Sequence, residues 1–215
     1  MKLFELYNEV IGEDYPKTWD IETFKSLRSF SQRIKYCQEN LQRISSGSSR
    51  IVYKIDDEKV LKLAKNRKGL AQNEIEAEYS QYHDLSDILA RTFDYADDNT
   101  WVEMELARKV TANIFKQIVG FNWSDFVSAM NKQYYRVNPP KTFFSYRDEP
   151  NTEIEDKMWE NEFCYSMFSL LGNYDIPVGD LVRFSSYGVV NRGGINTLVL
   201  IDYGLNQENY ESYYS

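Results

Sequence analysis

Residues 44–64 read ISSGSSRIVYKIDDEKVLKLA. A small polar loop, Ile44-Ser45-Ser46-Gly47-Ser48-Ser49, leads into Ile51-Val52-Tyr53-Lys54-Ile55, whose β-branched and aromatic side chains favour a strand. Asp56-Asp57-Glu58 reads as a turn and residues 59–64 as a second strand, so the stretch predicts a hairpin. Strand alternation puts Lys62 on the face of Val60 and Ala64, with Leu61 and Leu63 on the other. An ammonium on a covered face needs an anionic partner; at an open edge its stem can instead snorkel to water. In the loop, Gly47, Ser48 and Ser49, with Arg50 next, offer amides and hydroxyls that can lie over phosphates. The same composition also suits a plain turn.

On the N-terminal side, residues 1–44 read as helical. Leu27, Phe30, Ile34, Cys37 and Leu41 recur at helical spacing, with Arg28, Gln32, Lys35 and Glu39 on the opposite face. Asp20 suits a cap and Pro16 a break ahead of it. On the C-terminal side, residues 69–82 predict a helix whose Asn73-Glu74-Ile75-Glu76-Ala77-Glu78 offers carboxylates on different faces, one within reach of Lys62. Residues 100–106 predict another strand after a turn at Asp97-Asp98-Asn99. Residues 110–150 are mixed: Ile114, Ile118 and Phe121 suggest a short helix, and the prolines at 139, 140 and 150 mark loops. A helix over 154–171 carries Trp159, Phe163, Met167 and Leu170 on one stripe and ends at Gly172-Asn173. Asp180 follows in the loop Val178-Gly179-Asp180-Leu181. Residues 187–190 and 198–202 then form a hairpin that ends in Asp202, with Tyr203-Gly204 permitting an abrupt turn.

The chain has 215 residues, 42% hydrophobic and 15% aromatic, enough for one substantial domain or two small lobes around a cleft. Its net charge of −8 arises entirely in residues 149–215, which hold 3 Lys+Arg against 11 Asp+Glu. That bias reads either as a solvated face or as a carboxylate cation site. No basic surface for nucleic acid is present, and no apolar run long enough to span a membrane. The N-terminal MKLFELYNEVIGEDYPK has no signal-like apolar region, and a reducing cytoplasm is expected for a chain with two cysteines, Cys37 and Cys164. The single histidine, His83, disfavours Ser-His-Asp catalysis and multi-histidine metal sites and reads as structural. Tyr134, Tyr135, Tyr210, Tyr213 and Tyr214 suit an interaction surface or ordinary packing.

Taken in order, the loop, lysine strand, acidic helix, edge strand, long helix, acid loop and Asp-Tyr-Gly resemble the protein kinase and aminoglycoside phosphotransferase superfamily over residues 44–205. The resemblance implies an α+β, protein-kinase-like two-lobed fold. Residues 1–44 would be an N-terminal helical extension, 45–107 a small antiparallel-sheet lobe, and 108–215 a truncated, mainly helical lobe. It implies ATP and Mg²⁺ as cofactors. Lys62 would contact the α- and β-phosphates, Glu76 (with Glu74 in reserve) would pair with it, and Gly47, Ser48 and Ser49 would cover the phosphates. Glu105 and Ala107 would offer backbone groups to adenine. Asp180 would be the catalytic base, and Asp202 a metal ligand, seconded by Ser185 or Ser186 in place of the family's asparagine. The string Gly-Asp-Leu-x-Arg-x-Ser-Ser-aromatic-Gly-Val-Val before Ile-Asp-Tyr-Gly-Leu is similar, more narrowly, to bacteriophage proteins of this fold. Val178 and Gly179 stand where the family has histidine and arginine, and only 11 residues follow Gly204, too few for a peptide-docking platform. Three readings follow: a phosphotransferase whose acceptor site comes from residues 108–150, the N-terminal helices or a partner protein (a host protein if the chain is phage-encoded); a pseudokinase serving as a binding or regulatory module; and a phage structural component in which the fold is scaffold only.

Overall fold

The computed structural model describes residues 19–139, 150–174 and 176–206. Pro16, Pro140, Tyr210, Tyr213 and Tyr214 lie outside them. The predicted hairpin forms from β2 (Arg50–Lys54) and β3 (Lys59–Ala64), antiparallel, with Val52 opposite Lys62. Its turn closes through the Glu58 amide donating to Asp56 Oδ1 at 2.8 Å. Three further strands complete an antiparallel sheet: β1 (Gln42–Ser46), β4 (Thr92–Tyr95) and β5 (Trp101–Glu105), in the order β1-β2-β3-β5-β4. β1 corrects the sequence reading, which ran a helix to residue 44 and a loop to 49. β4 was not foreseen.

One sheet face is covered by α1 (Ile21–Ser26) and α2 (Phe30–Asn40), whose Phe24 and Cys37 pack on Tyr53, Leu61, Leu63 and Trp101. The expected continuous helix is broken because Ser29 and Gln32 form a capping box: the Gln32 amide donates to Ser29 Oγ at 3.2 Å and the Ser29 amide to Gln32 Oε1 at 3.1 Å. Leu27 and Leu41 therefore become extended cap residues, and Phe30, 41% exposed, leaves the buried stripe to Phe24. These helices lie on the sheet face opposite Lys62.

The Lys62 face meets α3 (Arg67–Tyr79), started by Asn66, whose Oδ1 accepts from the Gly69 amide at 3.1 Å. Val60, Ile75, Val102 and Met104 continue from there into the core of the second half. That half comprises β6 (Arg108–Lys109), α4 (Ala112–Val119), α5 (Trp123–Val137), α6 (Glu153–Trp159), α7 (Glu162–Asn173), α8 (Val178–Leu181), β7 (Tyr187–Arg192) and β8 (Ile195–Leu200). Phe115, Phe126, Met130, Met158, Met167 and Leu170 are its fully buried centre. The single helix expected over 154–171 is two, since Asn161 caps α7 by accepting from the Cys164 amide at 3.0 Å and donates to Val119 O at 3.1 Å. α5, fifteen residues long, exceeds the short helix foreseen in 110–150. β6, β7 and β8 form a second antiparallel sheet, and the β7–β8 turn holds Gly193 and Gly194 at φ +61° and +87°. These positive φ values are those that a two-residue hairpin turn requires. The class is α+β, a small antiparallel sheet followed by a mainly helical half. Among the described residues, no helix is long and apolar enough to cross a membrane.

Candidate functional site

Lys62 is carried into the interior by its strand neighbours. Leu61 and Leu63 are fully buried toward α1 and α2, and alternation turns Lys62, 6% exposed, toward α3. Its ammonium donates to Glu76 Oε1 at 2.8 Å and to the Ile201 carbonyl at 2.6 Å. Glu76 is fully buried with Gln72 and Asn73 on one face of α3, whereas Glu74 and Glu78 are exposed. Glu76 is thus the carboxylate that meets Lys62. Burial pushes the Lys62 ammonium below the ordinary lysine value; Glu76 pulls it back, and nearby Arg50 adds to the depression.

Arg50 is the residue that sequence reasoning placed too loosely, as an adjunct of the loop. It opens β2 on the same face as Val52, opposite Ala64 of β3, and is 8% exposed. Nη1 donates to Glu76 Oε2 at 2.7 Å and to Asn73 Oδ1 at 3.3 Å, and Nη2 donates to Asp202 Oδ1 at 2.8 Å. The guanidinium therefore bridges the buried carboxylate of α3 and the acid beyond β8. Period-2 alternation from Val52 already puts residue 50 on the Lys62 face, which is the signal that could have found it.

The loop between β1 and β2 is folded down onto α3. Ser49 Oγ donates to Gln72 Oε1 at 2.5 Å, Ser48 O accepts from Asn66 Nδ2 at 3.0 Å, and Gly47 O accepts from Lys65 Nζ at 2.7 Å. The approach depends on Gly69, where a Cβ would lie 2.3 Å from the Ser49 carbonyl oxygen. Gly47 and Ser49 face the cleft; Ser48 is exposed and does not line it.

Asp202 sits two residues past β8, its side chain 59% exposed, and the chain then presses against α3: a Cβ at Gly204 would lie 2.6 Å from the Gln72 carbonyl oxygen. Asp180 lies in the short helix α8 rather than in the expected loop, with Arg183 Nη1 at 3.2 Å. Burial and the negative charge of Asp202 raise its carboxyl above the usual aspartate value, opposed by Arg183 and Lys68. Ser186 is buried, its carbonyl accepting from the Ile201 amide at 2.8 Å, while Ser185 is the serine that faces the cleft.

Between these groups lies a cavity of about 300 Å³. Val52, Val60, Met104 and Leu106 make one end apolar, and Arg50, Lys62 and Asp202 make the other charged. Glu105 and Ala107 border it at the β5 end. The Glu105 amide already donates to Arg91 O at 2.8 Å, and its carboxylate is held by Arg192 Nη2 at 2.7 Å. Ala107 packs closely on the second sheet, since a Cβ at Gly188 would lie 2.4 Å from its methyl carbon.

The described residues form no cage that would hold a divalent cation by protein ligands alone. Among the described residues, no group of three or more His, Cys, Asp or Glu side chains is arranged to hold a metal ion. Asp202, the best-placed carboxylate, already accepts a charge-assisted hydrogen bond from a guanidinium. An ion there would sit beside that permanent positive charge.

No family model matches the chain, and no curated protein matches it. Among solved structures it is similar to the streptomycin–ATP ternary complex of APH(2″)-IIa, at 12% identity and TM-score 0.36, covering 83% of this chain and 71% of that one. It is also similar to a GDP complex of an aminoglycoside 2′-phosphotransferase-IIIa mutant, at 11% identity and TM-score 0.40, covering 86% and 69%. A third is ADP-bound APH(2″)-Ib, at 12% identity and TM-score 0.34, covering 82% and 71%.

Proposed function

We propose that the cleft binds a purine nucleotide, ATP by the resemblance in sequence, and that the protein is a phosphotransferase acting on a hydroxyl-bearing acceptor. The observation that carries this reading is the buried Lys62–Glu76 pair, 2.8 Å apart, opening on a cavity that is apolar at the β5 end and cationic at the other. Burying an ammonium is costly unless it is paired, and a cation so held is fixed in place for an anionic ligand. A base would lie between Val52, Val60 and Met104, with the backbone of Glu105 and Ala107 alongside, and its phosphates would run toward Lys62 and Arg50. These two cations would neutralise charge as a phosphoryl group departs, so positioning and electrostatics carry the rate. Asp180, its carboxyl held above the usual range, would accept the proton of the attacking hydroxyl. Ser49, tied to Gln72, keeps the loop over the phosphates rather than donating freely.

A second reading keeps the nucleotide and drops the transfer: a pseudokinase serving as a binding or regulatory module. It is favoured by the Arg50–Asp202 pair, which engages the acid that a metal-dependent transferase would need. In either case the setting is cytoplasmic, where nucleoside triphosphates are abundant, with a phage-encoded origin and a protein partner following from the motif resemblance alone. The test is thermal unfolding with ATP. A ligand at 100 times its Kd adds about 2.7 kcal/mol of stability, so the wild type should melt higher and Lys62→Ala should lose the shift. Wild type indifferent to ATP, ADP and GTP would end the nucleotide reading. Transfer of a labelled γ-phosphate to a small-molecule or protein acceptor separates the two readings.

A further inference from the structure

We infer that Arg50 replaces the divalent cation: a nucleoside polyphosphate binds this cleft with its phosphates on Arg50 and Lys62, without a metal ion. The inference rests on the nucleotide reading above and specifies the chemistry by which that site neutralises phosphate. Three observations lead to it. First, the deep end of the cavity holds two cations, Arg50 and Lys62, but one fully buried carboxylate, Glu76, whose two oxygens are divided between them at 2.7 and 2.8 Å. The second carboxylate, Asp202, meets Arg50 at 2.8 Å but is 59% exposed, so it is the one anion of the cluster that can yield its place to a ligand. Second, Arg50 is anchored at three points, Glu76, Asn73 and Asp202, in a geometry that fixes its planar fork at the cavity wall. A guanidinium suits phosphate oxygens and keeps its charge at any accessible pH, and Nη2, held only by the exposed Asp202, is the donor nitrogen a phosphate can take over. Third, a metal ion on the remaining oxygen of Asp202, Oδ2, would sit beside the guanidinium held on Oδ1, placing two positive groups side by side. An incoming phosphate has the opposite effect. It joins the guanidinium as a second anion, and Asp202 can turn outward to water at little cost because it is already half exposed.

The experiment measures the ATP concentration that produces the half-maximal rise in melting temperature of the full chain, once in EDTA and once in excess Mg²⁺. Wild type should respond in EDTA at a concentration no higher than in Mg²⁺. Arg50→Ala should raise the EDTA midpoint about tenfold or more, as expected for loss of a charge-assisted contact. Arg50→Lys, which keeps the charge and the volume, should recover part of it. Asp202→Asn is the discriminating variant. Removing a competing anion should leave the midpoint equal or lower in EDTA and in Mg²⁺ alike, whereas a metal-holding Asp202 requires the substitution to raise the midpoint in Mg²⁺. A wild-type response confined to Mg²⁺ overturns the inference while leaving the nucleotide reading standing. A response under neither condition overturns both. The wild-type arms alone decide the matter if a variant fails to fold.

Discussion

Asp180 carries a pH signature at the residue scale. Burial and Asp202 raise its folded-state pKa, so the folded protein holds that proton more tightly than the unfolded chain does. Its favourable contribution is complete below the unfolded carboxyl value of about 3.9 and is lost as pH rises through the higher folded value. At neutral pH the ionised group therefore works against the fold. Asp180→Asn, which resembles the protonated acid, should melt above wild type at pH 7, by a few degrees if the relief is about 1 kcal/mol, and level with it near pH 3. A melting temperature at pH 7 at or below that of wild type would contradict the assignment. On the proposed transferase reading the same variant should abolish phosphoryl transfer, giving the opposed effects on stability and activity expected of a working carboxylate. That Lys62 would meet a carboxylate of the acidic helix was legible in the sequence from strand alternation and the need to pair a buried ammonium, while the choice of Glu76 over Glu74 came from the family resemblance. The partnership of Arg50 with Asp202 was not legible, since it joins residues 152 positions apart whose approach is set by the packing of Gly204 on α3.

At the scale of elements, the strongest patterns gave the hairpin and α3, while boundaries followed side chains too local for periodicity to register. Ser29 and Asn161 each end a continuous apolar stripe by capping a new helix, and β1 and β4 are short strands with little buried surface of their own to betray them. The start of α6 is built the same way. Thr152 Oγ1 accepts from the Glu155 amide at 3.3 Å, and Glu155 Oε2 accepts both the Thr152 amide at 2.6 Å and Lys132 Nζ at 2.7 Å, tying α6 to α5. Thr152→Ala should cost about 1 kcal/mol, as loss of a helix cap does. Burial raises the Glu155 carboxyl, but the hydrogen bonds from Lys132 and Thr152 outweigh it and hold the pKa below the ordinary value. Its contribution is thus present above the unfolded value of about 4.3 and lost as pH falls through the folded one. In denaturant titrations, Glu155→Gln should destabilise clearly at pH 7 and hardly at pH 3; a penalty that does not change with pH would point to packing instead.

At the scale of the whole molecule, polar ties join the two sheets beside the cleft, and Arg192 is one of them. From the end of β7 it reaches the carbonyls of Ser86 and Leu89 at 2.7 and 2.8 Å and the carboxylate of Glu105 at 2.7 Å. Beside it, the Leu200 amide donates to Ile88 O at 2.7 Å and the Ala90 amide to Leu200 O at 2.8 Å, joining β8 to the segment that enters β4. Side-chain exposures of 12% for Arg192 and 11% for Glu105 make this a nearly dry pair. Removing one partner strands the other, so Arg192→Ala should cost about 2–3 kcal/mol, somewhat less than a fully buried pair, and lower the melting temperature by roughly 4–12 °C. On the proposed nucleotide reading, because Glu105 and Ala107 border the apolar end of the cavity, the loss should also raise the nucleotide midpoint even though Arg192 does not line the cavity. Trp101 reports on the first sheet and Trp123 on the helical half, so single-tryptophan versions of the wild type and of Arg192→Ala can be melted side by side. In wild type the two probes should unfold together. In Arg192→Ala they should separate, the Trp101 transition coming first, because the tie lies between the units rather than within either. Coincident transitions at an unchanged temperature would show that the apolar contacts from Val60 and Met104 into the helical core bind the halves without it.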